Sequence, residues 1–105
     1  MREVSEKDWK LFRARVPEWQ EAYMTRLCEE YAALLTSGGK GSARFWALEK
    51  RIREDQKKTS VVVDMRRSMM ITNIVNLIVE DAITLEDLDG FTEETIETVK
   101  KWVRP

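Results

Sequence analysis

Apolar residues recur along the first third of the chain at steps of three or four: Trp9, Phe12, Val16, Trp19, Tyr23, Leu27, Tyr31 and Leu34. That period marks one face of an α-helix. Ser5, with an acid three residues later at Asp8, forms an N-terminal capping signal in which aspartate stands for the usual glutamate or glutamine. Pro17 interrupts the stripe, removing one amide and pressing on the carbonyl of Arg13. The stripe nevertheless keeps its phase across Pro17, so one long helix from about Ser5 to Leu35, kinked at the proline, is favoured over two separate helices.

The segment 36–42, Thr-Ser-Gly-Gly-Lys-Gly-Ser, reads as a turn, and Ser42 is placed to cap a second helix over about 42–58. Phe45, Leu48 and Ile52 line one face of that helix and Trp46 flanks them, with charged residues over the rest. A third helix is expected over 60–80, starting at Thr59 or Ser60 and passing through Met65, Met69, Met70, Ile74, Leu77 and Ile78. Val61-Val62-Val63 has strand character, but a lone strand would have no partner. Thr84 and Asp87 start a short helix over 84–89 that Gly90 ends, and Thr92 caps a last helix over 92–103. Its acids come early and Lys100, Lys101 and Arg104 late, as the helix dipole favours. The expected fold is all-α: one domain over 1–105, a small bundle of four to five helices in which the long first helix packs on the apolar third.

Charge is unevenly spread. Residues 1–79 hold fifteen bases and eleven acids, whereas 80–97 hold eight acids and no base. Such a dipolar chain suits head-to-tail contact or a basic partner, although solvated helix faces give the same pattern.

Histidine is absent and Cys28 is the only cysteine. Disulfides within the chain, histidine-based nucleophile pairs and the usual zinc sites are therefore excluded. No catalytic, cofactor or metal residue is assigned, and the chain is read as a non-enzyme with no implied cofactor or small-molecule ligand. Gly39-Lys40-Gly41-Ser42 lacks the spacing and the preceding strand of a phosphate loop. Cys28, beside Met24 and Leu35 on the flank of the first stripe, is expected to be a buried, inert thiol, and Met65, Met69 and Met70 to fill the core. The opening residues carry no signal-peptide pattern. The most apolar stretch, Met69 to Val79, is too short to span a bilayer. A cytoplasmic location without membrane contact follows as the expectation.

Two partners come under consideration. Arg44, Arg51, Lys57, Lys58, Arg66 and Arg67 are candidate nucleic-acid contacts, because phosphate contacts dominate such binding. Glu49, Glu54, Asp55 and Asp64 oppose them within the same stretch. The favoured reading is a regulatory or interaction module that acts through a helical face on another protein or on a second copy of itself.

In order and spacing, Trp19-Gln20-Glu21-Ala22-Tyr23, the run from Phe45 to Asp55, and Glu86-Asp87-Leu88-Asp89 resemble a family of small helical proteins from Gram-positive gut bacteria. The resemblance covers nearly the whole chain. Some members carry the label "multidrug transporter", and the family brings no assigned activity or site residues. It implies a bacterial helical protein and carries no chemistry across. The transporter label conflicts with the hydropathy above.

Overall fold

A computed structural model describes residues 3–103, and among them there are four α-helices and no strand. The helices are α1 (Glu6–Leu35), α2 (Gly41–Asp55), α3 (Met70–Val79) and α4 (Glu93–Val103), with 3-10 turns at Arg67–Met69 and Leu85–Leu88. The all-α bundle expected from the pattern is what the chain forms. Arg104, counted above among the late bases of the last helix, lies outside the described residues.

The long helix runs unbroken through Pro17. Pro17 and Arg13 are both exposed, so the carbonyl left without an amide partner lies on the wet side of the helix. Thirty residues at about 1.5 Å each make a rod of about 45 Å, nearly the full 52 Å length of the molecule. The radius of gyration, 16.4 Å, exceeds the roughly 13 Å expected of a spherical domain this size. The two ends of α1 therefore serve different packings.

The front of α1 builds the head. Phe12 and Val16 join Met70, Ile74 and Leu77 of α3, Ile83, Leu88 and Phe91 of the connection, and Val99 of α4 in one buried cluster. Trp9 and Trp19 close its edge, with Trp19 stacked on Phe91 at 6.5 Å. Asp8 fastens this end. Its amide takes the Ser5 hydroxyl as acceptor at 3.1 Å, the first half of the expected capping box. The second half is absent, because the carboxylate reaches across the fold to the start of α4, where the Thr92 hydroxyl caps the helix by accepting from the Thr95 amide (3.3 Å). One oxygen accepts from the Thr92 amide (2.9 Å) and the other from the Thr92 and Thr95 hydroxyls (2.6 Å each). The acid is fully buried at the positive end of a helix.

The third helix begins at Met70, ten residues later than the 60–80 expectation. Residues 56–66 form a strap of turns, with neither helix nor strand at Val61–Val63. The strap is held from outside its own backbone. The Glu80 carboxylate accepts from the amides of Thr59 (3.1 Å) and Ser60 (2.8 Å) and from the Ser60 hydroxyl (2.6 Å). Gln20 donates to the Val61 carbonyl, Asn73 to that of Asp64, and Asn76 to the Thr59 hydroxyl. Three β-branched residues in a row, poor in helix propensity, meet these ready partners, and the strap forms instead of a helix. The asparagines that interrupt the apolar run of α3 are thus the groups that tie it down.

Several other helix ends follow their expected signals, and the start of α2 does not. Thr84 and Asp87 make a full capping box, and Gly90 adopts the left-handed conformation at φ 98°. Asp81, at φ 63°, closes α3 with the amide of Ala82 donating to the carbonyl of Leu77 (2.8 Å), a Schellman ending. At the start of α2, Ser42 lies inside the helix and Lys40 stands at the cap without a side-chain bond.

Candidate interaction surface

Beyond Arg26, which donates to the Asp81 carbonyl of the head (2.8 Å), α1 runs alongside α2 as a two-helix arm. Arg44, Leu48, Arg51 and Asp55, spaced four, three and four apart, are the least exposed positions of α2 and face α1. The expected apolar face is therefore turned away, with only Leu48 shared between the two rows. Phe45, Trp46 and Ile52 remain 60, 62 and 37% exposed.

A polar clamp sets this orientation. Asp55, 3% exposed, accepts the Tyr31 hydroxyl at 2.5 Å and the Arg51 Nε at 3.1 Å, and pairs with Lys58 Nζ at 3.1 Å. Lys58 also donates to the Tyr23 hydroxyl (3.3 Å), and Arg51 bridges to Glu30 while lying over the Tyr31 ring at 5.5 Å. Burial, with Asp55 as acceptor, pushes the Tyr31 hydroxyl up to about 12. Burial also opposes ionisation of Asp55, but the Tyr31 hydroxyl and Lys58 outweigh it and hold the carboxyl below its ordinary value. Lys58 rises through its bond to Asp55. These shifts favour the phenol of Tyr31, the carboxylate of Asp55 and the ammonium of Lys58, the forms in which the three bond one another, which suits a joint.

Outside the clamp, the flank of α2 holds a shallow depression of about 410 Å³ between Phe45, Leu48, Glu49, Ile52, Arg53 and Gln56. On α1 the neighbouring row Met24, Cys28 and Leu35 is also exposed. This corrects the expectation of a buried Cys28: the flank that was to cover it has no cover. Trp46 and Trp102 likewise stand in solvent, while Trp9 and Trp19 border the core. Of the three methionines expected in the core, Met70 is fully buried and Met65 is 41% exposed.

A larger cleft, about 570 Å³, lies between the start of α1, α3 and α4, with Ile71, Val75, Asn76, Thr98 and Trp102 among its walls. Asp8 lies at its edge, and that carboxylate is already saturated by Thr92 and Thr95. No group of three or more His, Cys, Asp or Glu suited to a metal occurs among the described residues. No described helix is long and apolar enough to cross a membrane.

The six candidate nucleic-acid contacts do not gather into one open basic patch. Arg44 donates to the Leu35 carbonyl, while Arg51 and Lys58 belong to the clamp. Arg66 pairs with Asp64, and Arg67 holds Glu6 and the carbonyl of Val4. Lys57 is exposed in the strap that follows α2.

No family model, no curated protein and no solved structure matches the chain.

Proposed function

We propose that this chain is a non-enzymatic protein-interaction module that binds through one flank of the α1–α2 arm. The observation that supports it is the orientation of α2: it docks by its polar row and leaves Phe45, Trp46 and Ile52 in water. Solvated apolar residues are common singly, whereas a contiguous apolar face on a charged helix marks a contact site. Aromatic side chains of this kind supply much of the energy at protein interfaces. A reducing, cytoplasmic setting fits the accessible thiol of Cys28.

Capture from a lysate of the source cells tests the reading, using the immobilised chain and a Phe45→Glu/Ile52→Glu variant, each with and without nuclease. A protein retained after nuclease by the parent and lost by the variant is the expected result. Equal capture by both chains contradicts it, and loss on nuclease treatment points to nucleic acid instead.

A further inference from the structure

We infer that the occupant of this flank is a second copy of the chain, related by a two-fold axis that crosses the arm. The inference rests on the proposed interaction surface and names its partner.

Three contacts fix the register of the arm: Glu30 with Arg51, the Leu35 carbonyl with Arg44, and Tyr23 with Lys58. Position 29–30 of α1 is therefore level with about position 51 of α2. Helical spacing puts Met24, Cys28 and Leu35 of α1 and Phe45 and Ile52 of α2 on one flank, opposite the flank that carries the Glu30–Arg51 bridge. A two-fold axis lying in that flank, perpendicular to the helices and level with 29–30, stacks α1 on α1 and α2 on α2, each pair antiparallel. Met24 of each copy then meets Leu35 of the other, and the two Cys28 side chains approach the axis.

The charges obey the same axis. It crosses α2 near position 51, midway between Glu49 and Arg53, which are both exposed and rim the depression. Within one copy they pair at 3.1 Å. Across the axis, Glu49 of each copy faces Arg53 of the other. One acid and one base at equal distances from the axis give a patch that complements itself, which an isologous contact requires. A rim of a single sign would repel its own copy.

The flank spans about 17 Å of helix rise and two helices of about 10 Å each, a flat footprint of about 340 Å² per copy. That is less than half the area a standard stable interface buries on each partner. The dimer is accordingly weak and reversible, forming in the micromolar range or above.

Sedimentation equilibrium of the full chain, from about 10 to 500 µM, measures it. A monomer–dimer equilibrium is expected, with Cys28 of the two copies joined by a short bis-maleimide. Glu49→Arg places two bases on each rim and Arg53→Glu two acids, so each variant alone is expected to dimerise about tenfold more weakly. Mixed in equal amounts they restore parent-like association. The intrahelical pair is broken in both variants, so only a contact between copies explains rescue. Circular dichroism confirms that each variant folds. A chain that stays monomeric throughout, or a mixture no better than its components, overturns the inference. If that monomer still captures a nuclease-resistant protein lost by Phe45→Glu/Ile52→Glu, the dimer falls and the interaction module stands. If the capture fails as well, both fall.

Discussion

Asp8→Ala is expected to destabilise the fold by about 2–4 kcal/mol, because it leaves buried donors at the start of α4 without an acceptor. The Thr92 amide and the Thr95 hydroxyl lose their acceptor together, and α4 loses its tether to α1. Asp8→Asn keeps one acceptor oxygen and is expected to cost less, about 1–2 kcal/mol. The charge itself is tested by pH. Burial works against ionisation of Asp8, but the bonds from Thr92 and Thr95 outweigh it, so its folded pKa lies below its ordinary value. A depressed acid contributes fully above its unfolded pKa of about 3.9, and the contribution is lost as pH falls through the folded value. The gap in stability between parent and Asp8→Asn, followed by urea unfolding, is therefore constant near neutrality and shrinks below about pH 4. A gap that widens on acidification contradicts the assignment.

Asp55→Ala is expected to cost about 2–3 kcal/mol, with the loss confined to the arm. The buried side chain gathers Tyr31, Arg51 and Lys58, and removing it leaves cations facing each other beside an unpaired phenol. Breaking a buried ion pair can cost about 3–5 kcal/mol. The lower figure applies because the Arg51 and Lys58 side chains are 35 and 39% exposed and can rehydrate. Amide exchange should accelerate through α2 while the protected amides of α3 and α4 keep their rates, since the head core includes no residue of α2. Equal acceleration in both regions contradicts an arm that opens separately. The folded Asp55 pKa is also depressed, so the clamp too weakens as pH falls below about 4 and holds above it.

The features legible in the sequence are those whose causes are local. The stripe from Trp9 to Leu34 carries α1 past Pro17, because packing of a continuous face outweighs one missing amide bond. The Thr84–Asp87 box and Gly90 work as local geometry dictates. Misreadings begin where a distant group competes with the near one. Asp8 has the spacing of a local cap, yet its carboxylate serves residues 84 and 87 positions away. Val61–Val63 could continue a helix, but Glu80, Asn73 and Asn76 offer the strap its hydrogen bonds.

The surface was half legible for the same reason. Phe45, Leu48 and Ile52 stand out as one apolar face, and periodicity alone assigns such a face to the interior. The Asp55 cluster with Tyr31 and Arg51 turns the helix the other way, and no spacing rule within α2 reveals a phenol on α1. Cys28 was expected to be buried, and it is exposed because nothing covers that flank of α1.

Unfolding of Phe45→Ser at low micromolar concentration measures that orientation most directly. If α2 docks by its polar row, the variant stays within about 1 kcal/mol of the parent, the loss of an exposed contact with Trp46. A loss of about 3 kcal/mol or more would mean that Phe45 is packed in the interior, and the arm's proposed surface would not exist.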